Sequence, residues 1–224
     1  MNVDVLWGNY KFPNCENCKK DCGKYKYDNL CSNLNYLKNY GQEYFDRMKE
    51  SFEELNKLNN NKMTIFTFGC GCNLDYFAGT EVFNNLSYIG VDNTEWAIKE
   101  TKTYKNLSNN EIKNNFNYNE GVKLLSIVPN NVVVCFFNSL NDILQNTKEL
   151  KSDLVESLER KSNFYIICNY TRGGNHTLAW NEECFLKSLC NKLREKFSIK
   201  RLEILRGEGI KTSLLIILLN CLKN

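Results

Sequence analysis

Apolar residues along the chain fall into short continuous runs, separated by stretches with a helical spacing. The runs Met63 to Phe68, Leu86 to Val91, Val132 to Phe137 and Phe164 to Cys168 are almost wholly apolar. Such runs are typical of strands that are covered on both faces of a parallel sheet. Between them, apolar residues recur at every third or fourth position, as on helices. This alternation predicts an α/β chain.

The end of the chain departs from this alternation. A helix predicted from Glu182 to Phe197 is followed by two apolar runs, Ile199 to Leu205 and Leu214 to Leu222, on either side of a glycine turn at 207–209. Two such runs around a short turn indicate a β-hairpin. We therefore expect a mostly parallel sheet that closes with an antiparallel pair.

The spacing also predicts helices elsewhere along the chain. One runs from about Leu34 to Leu58 and packs on the sheet or over a ligand site, and one runs from Leu140 to Leu158 with a break near Thr147. Another begins at Thr94 and Glu95 and ends near Tyr104. The weakly patterned stretch from 106 to 121 gives no clear position for a third strand.

The first buried strand ends in a glycine turn, TFGCGCNLD. Gly69 and Gly71 lack a Cβ, so the backbone there can approach a ligand closely or adopt a positive φ. Asn73 can cap the helix that follows, and the N–H groups at a helix start can hold a polar ligand. The next strand delivers Asp92, about 20 residues on, where an acid can accept both ribose hydroxyls. The pattern predicts a nucleoside-binding site.

These residues resemble motifs I and II of the class I S-adenosylmethionine-dependent methyltransferases. Gly69 and Gly71 match the first two glycines of the family's turn, and Asp92 matches the acid that holds the ribose. Thr67 stands where an acid is usual, and Asn73 stands where the third glycine is usual. The resemblance implies a doubly wound, mostly parallel, seven-stranded sheet with an antiparallel last strand, as in Rossmann-like methyltransferases.

The resemblance also implies S-adenosylmethionine as the cofactor and direct in-line methyl transfer, in which positioning dominates. The implied cofactor-binding residues are Phe68, Gly69, Cys70, Gly71, Asn73, Asp75, Asp92, Asn93 and Asn138. Asn138 and Ser139 occupy the place of motif IV, which often lines the acceptor site, although a helix cap explains them equally well. The loop 170–176 carries the single histidine. The candidate catalytic residues are Asn138, Ser139 and His176.

Two other functions remain open at this point. The missing acid at Thr67 permits a catalytically silent methyltransferase fold that acts as a binding or regulatory module. The glycine turn with Asp92 also suits an NAD-dependent oxidoreductase, although the closing hairpin argues against one. The methyl acceptor itself is open: small molecules, RNA and proteins are all compatible with the sequence.

Composition narrows the partners and the location. Among 224 residues, 29 are basic and 26 are acidic, and this net charge of +3 gives no strong nucleic-acid footprint. The start of the chain lacks the basic and apolar regions of a signal peptide, and the apolar run 213–222 is too short to cross a bilayer. With eleven cysteines, we therefore expect reduced thiols and a cytoplasmic protein without membrane contact.

Four cysteines near the start have the spacing C-x2-C-x3-C-x8-C: Cys15, Cys18, Cys22 and Cys31. Four thiolates this close can form a structural zinc site. An iron-sulfur cluster or uncoordinated thiols are the alternatives. The sequence thus predicts a Cys-rich segment with a docking helix at 1–60, followed by a methyltransferase-like α/β domain at 61–224.

Overall fold

The computed structural model describes residues 1–6, 28–58, 62–108, 113–116, 118–128, 131–137, 139–146, 149–161, 163–171, 176–196, 201–206 and 212–220. The strands, in chain order, are β1 Met63–Phe68, β2 Leu86–Val91, β3 Lys113–Phe116, β4 Val132–Phe137, β5 Asn163–Thr171, β6 Arg201–Arg206 and β7 Thr212–Asn220. The α-helices are α1 Leu30–Tyr36, α2 Gln42–Leu58, α3 Leu74–Val82, α4 Lys102–Ser108, α5 Tyr118–Ile127, α6 Leu140–Asn146, α7 Leu150–Leu158 and α8 His176–Lys196. Short 3₁₀ turns lie at Val3–Leu6 and Ala97–Glu100.

The strands pair in the order β3-β2-β1-β4-β5-β7-β6. β2, β1, β4 and β5 pair in parallel and confirm the predicted α/β architecture. β7 pairs antiparallel with both β5 and β6. In the β1–β2 register Phe68 faces Val91, so both strands end at the same edge. The glycine turn and Asp92 therefore lie side by side.

Alternate residues of the central strands enter two separate cores, one on each face of the sheet. In β4, Val133, Cys135 and Phe137 pack in the core that includes α2 and α3. Val132, Val134 and Phe136 pack in the core formed with α5 to α8. Because both faces are buried, nearly every position of these strands must be apolar, which explains the unbroken runs in the sequence.

The predicted docking helix packs on the sheet but has a different internal structure. It consists of α1 and α2 joined by a π-helical turn, Leu37–Gly41. Phe52 is fully buried, and its ring lies 5.7 Å from Phe83 and 5.6 Å from Phe137. The described part of this segment therefore contributes to the same core as β1 and β4.

Several element boundaries differ from the prediction. The helix expected from Thr94 to Tyr104 is a 3₁₀ turn followed by α4, while the expected break near Thr147 is confirmed by the separate helices α6 and α7. The last long helix begins at His176 rather than Glu182. The predicted loop 170–176 is therefore shorter, since β5 extends to Thr171.

The cysteine cluster falls mainly outside the described residues. Cys15, Cys18 and Cys22 belong to the part that is not described, whereas Cys31 lies half-buried in α1, with its sulfur 3.9 Å from the Asn35 amide. Among the described residues, no group of three or more histidines, cysteines and acids could hold a metal ion. The metal site and the division at residue 60 stay predictions.

A search of the described helices finds none with both the length and the apolar character needed to span a bilayer.

A substitution at Gly121 tests how closely α5 packs on β2. A Cβ at this position would lie 2.7 and 2.8 Å from the two methyl carbons of Val91. We expect Gly121→Ala to lower the free energy of unfolding by about 1–2 kcal/mol, because overpacking outweighs the gain in helix propensity. Urea denaturation measures this change. Glu120→Ala, at an exposed position on the same helix, is the control, and equal stability of both variants would contradict the packing.

Candidate functional site

The glycine turn is attached to the end of β2 by backbone hydrogen bonds. The N–H groups of Gly69 and Cys70 both donate to the carbonyl oxygen of Val91, at 2.7 and 3.0 Å. The N–H of Asn73 donates to the carbonyl of Cys70 at 2.8 Å and closes the turn. The turn therefore has a fixed position relative to the residue that precedes Asp92.

Two positions in this turn require glycine. Gly69 and Gly71 have φ values of +70° and +54°, which residues with a Cβ rarely adopt. A Cβ on Gly69 would also lie 2.3 Å from the Cβ of Ser139, and one on Gly71 would lie 3.1 Å from the Trp96 ring. The backbone is thus packed closely against two neighbouring segments.

Asn73 supports the turn in a way that the sequence did not indicate. It is the N-cap residue of α3, as predicted, but its side chain makes no capping hydrogen bond. Its backbone is left-handed, with φ 59° and ψ 38°, and its side chain is buried. Asparagine tolerates this conformation better than most residues with a Cβ. Asn73 therefore takes the place of the third glycine because its backbone adopts this left-handed conformation, not because its side chain caps the helix.

Both carboxylate oxygens of Asp92 accept backbone hydrogen bonds. Oδ2 accepts from the N–H of Gly71 at 2.7 Å, and Oδ1 accepts from the N–H of Thr94 at 2.8 Å. Burial raises the pKa of this carboxyl group, while these bonds and Lys99 partly oppose the rise. Each oxygen can accept more than one hydrogen bond, so the carboxylate retains capacity for ligand hydroxyls.

A cavity of about 280 Å³ opens beside this carboxylate, at the carboxyl ends of β1, β2 and β4. Its volume lies just below the usual range for ligand clefts, roughly 300–1,000 Å³. The described residues that line it are Tyr36, Tyr44, Met48, Gly69, Cys70, Gly71, Cys72, Leu74, Val91, Asp92, Asn93, Thr94, Trp96, Tyr118, Phe137, Ser139, Asp142 and Ile143. Ligands of open α/β sheets bind at this edge.

No protein-family profile matches the sequence, and no curated protein matches it. Among solved structures, the plantazolicin methyltransferase BamL, in complex with a triazolic desmethylPZN analogue and SAH, aligns with a TM-score of 0.52 at 11% identity, over 78% of this chain and 70% of BamL. WbdD aligns with a TM-score of 0.53 at 8% identity, over 98% of this chain but 47% of WbdD. The chain thus spans about half the length of WbdD.

The alignment with BamL and the strand order of the sheet indicate the same fold. The chain has the class I methyltransferase fold. Identities this low show the fold alone, so the site residues of this methyltransferase fold must be judged from their own geometry.

The methyltransferase fold brings most of the predicted site residues together. Those that line the cavity are Gly69, Cys70, Gly71, Asp92, Asn93 and Ser139. Phe68, Asn73 and Asp75 are buried and are not part of its lining. Asn138 lies outside the described residues. His176 is the first residue of α8, and its side chain is not described.

Asp75 lies behind the turn. Its side chain is 1% exposed, and the Tyr88 hydroxyl donates to its carboxylate at 3.0 Å. Asp75 is the acidic residue in the first turn of α3. Burial raises the pKa of Asp75 to about 6. This acid therefore faces the interior of the protein at the start of the helix rather than the cavity.

Ser139 and Asn93 both have structural partners. The Ser139 hydroxyl donates to the Phe68 carbonyl at 2.6 Å, and the Ser139 carbonyl accepts from Ile143 in α6. The Asn93 side-chain oxygen accepts from the N–H of Tyr118, the first residue of α5, at 3.2 Å. Both residues therefore join helices to the cavity edge while also lining it.

Cys70 and Cys72 have no features of a nucleophile. Both side chains are buried, and burial raises the pKa of both thiols, that of Cys72 to about 12. The Lys99 ammonium lies 3.9 Å from the Cys70 sulfur but opposes only part of this effect. Burial thus disfavours the thiolate, which is the reactive form of cysteine.

Several lining residues were not predicted as site residues. Tyr44 and Met48 belong to the helix predicted from Leu34 to Leu58, in which apolar residues recur at every third or fourth position, and Tyr36 and Trp96 were not singled out. This helical spacing is the sequence feature that marks Tyr44 and Met48. Trp96 follows β2 in an irregular segment, where no periodicity marks it. Its place depends on the Asn33 side chain, which accepts from the N–H of Ile98 at 3.0 Å.

The contact between Gly69 and Ser139 can be tested with a double-mutant cycle. We expect Gly69→Ala to lower the free energy of unfolding by about 2–4 kcal/mol, from steric overlap and the positive φ together. In a Ser139→Gly background, where the overlapping Cβ is absent, the same change should cost about 1–2 kcal/mol. Denaturant titration gives all four values. An equal cost in both backgrounds would rule out the contact.

The raised pKa of Asp75 predicts that the stability of the protein depends on pH. Its pKa in the folded state is about 6 against an ordinary value of 3.8, so the folded protein binds the proton more tightly. Stability relative to Asp75→Asn should therefore fall by about 2 kcal/mol as the pH rises from 4 to 7. Thermal and urea unfolding across this range measure the difference.

Tyr88→Phe is the matched variant for this test. It removes the hydroxyl that lowers the pKa of Asp75, so the fall should move to higher pH. Parallel stability curves for the wild type and Asp75→Asn would contradict the buried carboxyl group.

Proposed function

We propose that this chain is an S-adenosylmethionine-dependent methyltransferase, which binds its cofactor in the cavity beside Asp92. The observation that carries the proposal is the position of the Asp92 carboxylate, hydrogen-bonded to Gly71 and facing a cavity at the carboxyl edge of the sheet. An acid at this place can accept the two hydroxyls of a ribose. The antiparallel β7 between β5 and β6 supports the class I assignment.

The start of α3 favours this cofactor over a dinucleotide. A bound pyrophosphate needs the N–H groups and the positive dipole at a helix N-terminus. Here an acidic residue, Asp75, already lies in the first turn of α3. A second anion at this helix start would be repelled. S-adenosylmethionine carries no phosphate, so it avoids this conflict.

The residues present fit a nucleoside ligand closely. Gly69 and Gly71 lack a Cβ and both line the cavity, so the turn backbone itself forms part of the cavity surface. In the proposed site, the 69–71 backbone and Cys70 pass along the cofactor, and Asp92 holds the ribose. Asn93 and Ser139 border the same cavity. When bound, S-adenosylmethionine supplies an electrophilic methyl group on a positively charged sulfur.

The protein's part in such a reaction is positioning. Direct displacement at a methyl carbon requires an aligned acceptor and no dedicated base. We place the acceptor beside Ser139, with Asn138 and the segment 170–176 as further candidate contacts. Ser139 is fixed by its hydrogen bond to Phe68, so it orients neighbours rather than exchanging protons freely.

Calorimetry with S-adenosylmethionine and S-adenosylhomocysteine tests the proposal. We expect both to bind, and we expect Asp92→Asn to weaken binding about 10- to 100-fold, because an amide loses charged hydrogen bonds to the ribose. Glu95→Gln removes one negative charge three residues away, at an exposed position outside the cavity lining. This control should bind like the wild type.

Three outcomes separate the alternatives. Absence of binding of either ligand at high micromolar concentration would exclude the enzyme. Thermal stabilisation by NAD, without stabilisation by S-adenosylhomocysteine, would favour an oxidoreductase. Cofactor binding with unchanged affinity in Asp92→Asn, in a variant whose circular dichroism shows a native fold, would remove the assigned role of Asp92.

A further inference from the structure

The segment that joins α1 and α2 gathers tyrosines on one face. Tyr36, Tyr40 and Tyr44 lie at intervals of four residues, around the π-helical turn Leu37–Gly41. Their ring centroids are 5.7 Å apart for Tyr36 and Tyr40, and 5.8 Å apart for Tyr40 and Tyr44, which are stacked. Tyr36 and Tyr44 are 6.0 Å apart. π-Helical turns occur frequently at functional sites.

A tryptophan from the other side of the cavity meets this face. The Trp96 ring lies 5.3 Å from Tyr36, with an interplanar angle of 71°. Tyr36, Tyr44 and Trp96 all line the cavity that contains Asp92, and we call these three residues the aromatic wall. Trp96 also lies against Gly71, so the aromatic wall continues directly from the proposed cofactor site.

Part of the neighbouring lining is apolar, although Asp92 and Asp142 also border the cavity. Met48, Phe137 and Ile143 border the same cavity, and each has 8% or less of its surface exposed. Apolar surroundings raise the cost of removing a charged group from water. They favour a neutral ring, for which tilted and offset aromatic contacts are stabilising. Trp96 and Phe137 are each 5% exposed, so a compact group reaches them more readily than a folded macromolecule.

We propose that the aromatic wall binds the methyl acceptor, and that this acceptor is a small molecule with a neutral, planar aromatic ring. The inference rests on the proposed function, because it places the acceptor next to the cofactor. The ring packs against the sides of Tyr36 and Tyr44 that line the cavity, next to Met48, and its reacting atom points towards Ser139 and the glycine turn.

A matched pair of probes tests the aromatic preference. 4-Propylphenol and 4-propylcyclohexanol carry the same groups on a planar and a saturated ring. We expect the S-adenosylhomocysteine complex to bind 4-propylphenol about 5- to 10-fold more tightly, as contacts with two rings would give. Calorimetry or ligand-observed NMR on the full chain measures both affinities.

Substitutions in the aromatic wall test whether its residues cause the preference for 4-propylphenol. Tyr36→Leu and Tyr44→Leu should each reduce the preference for 4-propylphenol to about twofold or less. Tyr40→Leu is the matched control, since Tyr40 lies on the same segment, is 39% exposed and is not part of the cavity lining. The control should keep the preference. Affinity for S-adenosylhomocysteine is measured for each variant in parallel.

The outcomes distinguish this inference from the proposed function. If S-adenosylhomocysteine does not bind the wild type, the proposed function fails and the inference fails with it. If it binds but the two probes bind equally, only the aromatic acceptor is overturned. Tighter binding of tetramethylammonium than of 4-propylphenol would indicate a cation cage instead. A parallel loss of S-adenosylhomocysteine affinity in Tyr44→Leu would assign the wall to the cofactor.

Discussion

The hydrogen bonds between the glycine turn and the end of β2 determine the geometry of the whole site. Gly69 and Cys70 share one carbonyl acceptor on Val91, and Gly71 donates to the next side chain, Asp92. The turn and the acid are therefore one rigid unit, although about 20 residues separate them in the chain. Trp96 and Ser139 pack on this unit, so its shape determines where the cavity walls can stand.

The elements that could be predicted from the sequence are those buried on both faces. β1, β2 and β4 were expected within the same bounds because sheet burial leaves no alternative to an apolar run. The glycines at 69 and 71 were also identified from sequence, since their backbone conformation excludes other residues. β3 was not placed: Lys113–Phe116 is short and mostly polar, so it carries no such signal.

The remaining features depend on contacts between distant residues. Asp75 looked like a ligand-binding acid, but its environment is set by Tyr88, which lies on the neighbouring strand. Asn73 looked like a helix cap, yet backbone conformation decided its role. The aromatic wall depends on a π-helical turn that the regular helical spacing of the apolar stripe concealed. Such long-range and irregular features leave no periodic pattern in a single sequence.

The π-helical turn at Leu37–Gly41 also gives this protein a simple route to altered specificity. Each residue of an α-helix advances the chain by about 100°, so the loss of one residue from the turn would rotate α1 relative to α2 by roughly that angle. Tyr36 would leave the cavity while Tyr44 and Asp92 kept their places. Single-residue insertions and deletions here could therefore change the acceptor during evolution without disturbing the nucleoside end of the site.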